Sequence, residues 1–106
     1  MKYSIVIPVF NESDKISATL TQVVAFMRGF EPSFEILVVD DGSSDNTVAV
    51  VDDYAFSTPE VKLIKNKHKG KGPTVWTGIM EAQGDYIYMC DADLAAPISE
   101  LKKLSV

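Results

Sequence analysis

A chain of 106 residues, 46% hydrophobic and 24% charged, has room for one soluble domain with a sizeable core, spanning 1–106, and none for a second. Ten basic residues against fifteen acidic ones give a net charge of −5, which excludes a nucleic-acid binder working through a basic face and leaves open an anionic ligand reached through a metal. No apolar run approaches the roughly 20 residues of a spanning helix and no signal sequence precedes the first strand pattern, so a cytoplasmic protein is expected, with membrane contact only through sequence beyond this chain.

Ser4 to Phe10 is a β-branched run that fits a central strand, with Pro8 near its end, where a ladder hydrogen bond can be spared. Asn11, Glu12, Ser13 and Asp14 then supply capping oxygens and first-turn acids. The spacing of Ile16, Leu20, Val23, Val24 and Met27 puts them on one face of a helix from about Ser13 to Arg28, ending near Gly29.

The second apolar run, Phe34 to Val39, stops at Asp40 and Asp41. Gly42 suits a tight turn there, and Ser44, Asp45 and Asn46 are candidate caps for a helix carried by Val48, Val51 and Tyr54. A shorter strand covers Val61 to Ile64. A basic loop with Lys65, Lys67, His68, Lys69, Gly70, Lys71 and Gly72 follows. His68 reads as an exposed loop residue, and Lys69 and Lys71 either reach a phosphate or are simply solvated. Pro73 suits the first turn of a third helix, with Val75, Trp76, Ile79 and Met80 as its core stripe and Gly84 as its stop.

Tyr86 to Cys90 reads as a buried fourth strand, and its cysteine as a reduced core residue. It runs into Asp91 and Asp93, which in extended backbone project to the same side. Two like charges so close resist full ionisation unless a cation sits between them, and Mg²⁺ or Mn²⁺ would serve. Taken alone, the same pair is also a solvated acidic turn. After Asp93, Pro97 can open another helix with Ile98, Leu101 and Leu104 on one face.

Strand and helix alternate four times, which implies right-handed crossovers and an open parallel sheet, Rossmann-like, covered by helices on both faces. Ligands of such α/β sheets bind outside the carboxyl ends of the strands. The residues expected there are Asn11 and Glu12, Asp40 and Asp41, the lysine and glycine loop, and Asp91 with Asp93. Such a rim can hold a nucleotide through carboxylate hydrogen bonds, a metal on the diphosphate and lysines that offset charge. No glycine-rich dinucleotide fingerprint or Walker-type loop occurs, which sets aside dehydrogenase and ATPase readings. A phosphoacceptor domain would want its acidic pair after the first strand, where this chain has Asn11 and Glu12.

The runs Ser4 to Glu12, Val38 to Thr47, Gly70 to Gly72 with Thr77 and Gly78, and Asp91 to Leu94, taken together and in this order, resemble the nucleotide-sugar-binding half of family 2 glycosyltransferases. Within that family the chain looks most like the dolichyl- and polyprenyl-phosphate glucose and mannose synthases. The resemblance implies a GT-A type nucleotide-diphospho-sugar transferase fold and an inverting displacement at the anomeric carbon. It implies a nucleotide sugar donor, UDP-glucose or GDP-mannose, and a lipid-phosphate acceptor. By position it places Pro8, Phe10, Glu12, Val39, Lys71 and Asp91 along the nucleotide and gives Asp41 a hydrogen bond from the base, with Asp40 bracing its loop. It makes Asp91 and Asp93 the catalytic and metal-holding pair. Family members continue into an acceptor-binding half, so a donor-binding fragment with uncovered edges and a tendency to self-associate is expected.

Overall fold

The computed structural model describes residues 2–92 and shows the expected alternation: β1 (Tyr3–Val9), α1 (Ile16–Phe30), β2 (Phe34–Asp40), α2 (Thr47–Ser57), β3 (Val61–Lys65), α3 (Lys71–Glu81) and β4 (Tyr86–Met89). All strands pair in parallel, in the order β3-β2-β1-β4. Strand order therefore reverses at β1, and the crevice such a reversal opens lies past the carboxyl ends of β1 and β4. The helix expected after Pro97, and Asp93 itself, lie outside the described residues.

Register explains the two layers. Ile5, Ile7 and Val9 of β1 and Ile36 and Val38 of β2 share a core with Ile16, Leu20, Val23 and Met27 of α1 and Val51 of α2. The five α1 residues chosen by their helical spacing are all buried, as a helix docked along one stripe requires. The alternate strand residues face α3, where Gly78 meets Val6 and Val39. Helices thus cover both faces of the sheet.

Three expectations are corrected. The core stripe of α3 is wrong by a face: Trp76 and Met80 are 61% and 66% exposed, while Thr74 and Gly78 are buried. Small residues let this helix lie close to the sheet, and the apolar run turns outward. Among the described residues the fourth strand is not buried but an edge, with β1 as its partner; Tyr86, Ile87 and Met89 are exposed. Finally, Lys15 and Asn46, which precede α1 and α2, make no side-chain cap, although Asp45 does accept the first α2 amide, that of Thr47, at 2.9 Å. Asn11 and Ser13 tie loops together instead, because a loop at the carboxyl edge of a sheet has more orphan amides than one helix end does.

Candidate functional site

The ends of β1, β2 and β4 and the start of α3 surround a cavity of about 430 Å³, lined by Pro8, Val9, Phe10, Glu12, Asp41, His68, Gly70, Lys71, Thr74, Asp91 and Ala92. Its scale suits a small-molecule ligand.

The two loops nearest β1 and β2 are latched to each other. Asn11 adopts φ 53° and its Oδ1 accepts the amides of Ser44 at 2.8 Å and Asp45 at 3.3 Å. In return the Asn11 and Glu12 amides donate to Ser43 Oγ and Thr47 Oγ1, both at 2.9 Å. Asparagine tolerates this left-handed conformation better than most residues. Asp45 Oδ2 accepts from Ser13 Oγ at 2.9 Å, and its Oδ1 accepts from the amide and hydroxyl of Thr47. The Thr47 hydroxyl bond leads the set that holds the Asp45 carboxyl at about 2, against a smaller opposing push from burial.

The paired aspartates after β2 divide the labour. Asp40, buried, accepts the amides of Gly42 and Ser43 on Oδ2 at 3.0 Å each, bracing its own turn as expected. Asp41, also buried, reaches across to the loop before α3. Its Oδ1 accepts the Lys69 amide at 2.7 Å and its Oδ2 the Gly70 amide at 3.1 Å, while His68 Nδ1 lies 3.0 Å from Oδ2. Burial pushes the Asp41 carboxyl up, and the bonds from Lys69, Thr74 and Gly70 more than offset that and hold it below the ordinary carboxylate range. Gly42 needs its positive φ here, and an added Cβ would also stand 2.9 Å from the His68 amide.

At the fourth strand end, the Cys90 amide donates to Val6 carbonyl oxygen at 3.0 Å and the Thr19 hydroxyl of α1 donates to the Ala92 carbonyl. Asp91 is fixed between these anchors. Its Oδ1 lies 3.1 Å from Lys71 Nζ, with 51% of the Asp91 side chain and 67% of the Lys71 side chain exposed. So exposed a pair adds little stability. It does set a carboxylate and an ammonium side by side on the cavity wall, where Asp91 already draws a cation and offers the oxygen donor a hard divalent ion takes.

Of the residues expected at the site, Pro8, Phe10, Glu12, Asp41, Lys71 and Asp91 all line the cavity. Val39 does not bring its side chain there: fully buried, it packs beneath α3 against Gly78. Its place in the β2 register turns it to the α3 face. His68 is an exposed loop residue, as expected; what that reading did not foresee is that it also lines the cavity, its ring packed on Phe10 with centroids 4.6 Å apart. Its only signal in the sequence was its place in a loop following a strand. Among the described residues no three metal-ligating side chains cluster together.

The parallel sheet, its reversal and the carboxylate-edged cavity at that reversal define an open, Rossmann-like α/β class of fold. The chain belongs to glycosyl transferase family 2, whose pattern it matches over residues 4–105. It is 43% identical over 105 residues to a dolichyl-phosphate beta-glucosyltransferase of Trichomonas vaginalis, a match covering 93% of this chain and 31% of that protein. Among solved structures it resembles S. aureus TarS 1-349 in complex with UDP-GlcNAc, with a TM-score of 0.81 at 26% identity over 99% of this chain and 30% of that one. The mannosyltransferase PcManGT from Pyrobaculum calidifontis, in complex with GDP-Man and Mn2+, gives 0.77 at 25% identity over 87% of this chain and 27% of that one. The chain thus spans about a third of the length of the curated relatives it matches, 31% and 32% for the first two.

Proposed function

We propose that this chain is the donor-binding part of a metal-dependent, inverting glycosyltransferase that moves a hexose from UDP-glucose or GDP-mannose to a polyprenyl or dolichyl phosphate. The observation that carries the reading is the convergence of Glu12, Asp41, Lys71 and Asp91, from separate strand ends and the first turn of α3, on one cavity. The names of the similar proteins, which specify a dolichyl-phosphate glucosyltransferase and complexes with UDP-GlcNAc and with GDP-Man and Mn2+, support it.

In this reading the nucleoside lies along Pro8, Phe10 and Glu12, with its base toward Asp41. Lys71 offsets charge on the diphosphate, and Asp91 with Asp93 would hold Mg²⁺ or Mn²⁺, which when bound would supply Lewis-acid stabilisation of the departing diphosphate. A phosphate oxygen of the acceptor bonds to the anomeric carbon from the face opposite the diphosphate. The carbon–oxygen bond to the diphosphate breaks, its electron pair leaves with that group, and configuration inverts. The acceptor oxygen is already anionic, so no side chain has to remove a proton. A lipid acceptor places the work at the cytosolic face of a membrane.

Calorimetry with UDP, GDP and their sugars, with and without Mn²⁺, tests the reading. Metal-dependent binding is expected, weakened about tenfold or more in Asp91→Ala, the scale on which loss of a metal-supporting contact acts. Absence of binding by any of these nucleotides would overturn it, and binding without transfer to a polyprenyl phosphate would reduce it to a non-catalytic nucleotide- and metal-binding module. The exposed β4 edge leads us to include self-association in the proposal, since an open strand edge offers unpaired amides and carbonyls to a second chain. Sedimentation is expected to show dimers or larger species rising with concentration, and a monomer throughout would remove that part.

A further inference from the structure

We propose that His68 is a specificity-determining residue that reads the base, its Nε2 accepting a hydrogen bond from an imide-type N–H of uracil or guanine. The inference rests on the donor-site reading above and names the group that selects the nucleotide within it.

Three observations converge on this ring. His68 Nδ1 stands 3.0 Å from Asp41 Oδ2 and 3.1 Å from the Asp41 carbonyl oxygen. Both of those atoms only accept, so Nδ1 carries the proton, and in the neutral ring Nε2 is left as a lone-pair acceptor. The ring plane is set a second time by Phe10, at a centroid distance of 4.6 Å and an angle of 34°. The side chain lines the cavity and is 64% exposed, so Nε2, across the ring from Asp41, is open to a ligand.

Asp41 is less suited to reading the base alone. Its two oxygens already accept from the Lys69 and Gly70 amides, face the His68 Nδ1–H and meet Thr74, which together take up the roughly four lone-pair directions it has. The carboxylate therefore acts chiefly as the post that aims the imidazole. A ring so aimed distinguishes bases by the sense of the hydrogen bond at their Watson–Crick edge. Uracil and guanine present a ring N–H there; cytosine and adenine present a lone pair, which would face the Nε2 lone pair and repel it.

The test measures dissociation constants of UDP, CDP, GDP and ADP with Mn²⁺ for the full chain and for His68→Phe and His68→Gln. Phenylalanine keeps the ring contact with Phe10 and removes the acceptor; glutamine returns an acceptor oxygen near the Nε2 position. The unaltered chain is expected to prefer UDP to CDP and GDP to ADP by about tenfold, the scale of one hydrogen bond that the wrong partner leaves unmade. His68→Phe is expected to bring both ratios to within about twofold, with UDP and GDP binding weakened and CDP and ADP binding no weaker than in the unaltered chain, and His68→Gln to restore part of them. Ratios that stay the same in His68→Phe would overturn the role of His68 and leave the donor site standing. No binding of any of the four by the unaltered chain would overturn the donor-site reading and this inference with it.

Discussion

Replacing Gly78 with alanine is expected to destabilise the chain by about 1–3 kcal/mol, and with valine by more, as overpacking of a close helix–sheet contact does. The sign makes the test sharp, because the same change at a solvent-facing helix position gains roughly 1 kcal/mol from helix propensity. At Gly78 an added Cβ would stand 2.4 Å from Val6 Cγ1 and 3.1 Å from Val39 Cγ2. Val6 and Val39 lie in paired central strands and are fully buried, so neither can swing aside into solvent. The helix must lift instead. Lifting α3 also displaces Gly70 and Thr74, which line the cavity. Urea unfolding should therefore show a lower midpoint, and nucleotide affinity should fall alongside it. A midpoint that rises in Gly78→Ala would mean that α3 does not sit this close to the sheet.

That helix also shows where the sequence was legible and where it was not. Alternating strand and helix patterns, with turn residues between them, point to a parallel α/β sheet because each pattern is local and each crossover has a fixed hand. The buried face of α1 could be read from spacing alone, since a broad apolar stripe is what a helix laid across a sheet needs. In α3 the stripe of Val75, Trp76, Ile79 and Met80 was as clear, yet Thr74 and Gly78 make the contact. Small residues carry no hydropathy signal, and their role appears only when the helix–sheet distance is known. The same holds for β4, whose composition suits a central strand while its position is an edge.

The site divides in a similar way. That carboxylates from different strands would share one edge followed from topology, and Glu12, Asp41 and Asp91 do line one cavity. What each carboxylate does there depends on partners distant in sequence. Nothing local distinguishes Asp40, which turns back on Gly42 and Ser43, from Asp41, which reaches to Lys69 and Gly70. Asn11 looked like a helix cap, and Asp45 both caps the first α2 amide and latches to Ser13, because capping and loop-latching use the same side-chain oxygens. Only the approach of the two loops decides between them.

At the opposite end of the sheet, removing the buried Glu35 carboxylate is expected to cost about 1–3 kcal/mol in Glu35→Ala, the scale on which leaving buried hydrogen-bond donors without their acceptor acts. Glu35 is 1% exposed, and its Oε2 accepts from Ser4 Oγ at 2.6 Å and from the Gln83 amide at 2.7 Å. Its Oε1 accepts from Lys62 Nζ at 3.1 Å, and Ser4 Oγ in turn accepts the Gly84 amide at 2.8 Å. One carboxylate thereby joins β1, β2, β3 and the turn that feeds the edge strand β4. Alanine would leave buried donors without an acceptor, which costs more than the bonds themselves contribute. Against a total stability of roughly 5–15 kcal/mol for a domain of this kind, the loss should be plain in urea unfolding. Burial pushes the Glu35 carboxyl up, but Ser4, the Gln83 amide and Lys62 more than offset it, so its folded value lies below the ordinary 4.5. A depressed carboxyl contributes stability that is present above about pH 4.5 and is lost as pH falls through the lower folded value. Stability of the unaltered chain should therefore drop more steeply below pH 4.5 than that of Glu35→Gln, which has no proton to take up. Superimposable pH curves for the two would show that the charge on Glu35 contributes nothing to the fold, leaving only its shape and hydrogen bonds to hold the edge strand in place.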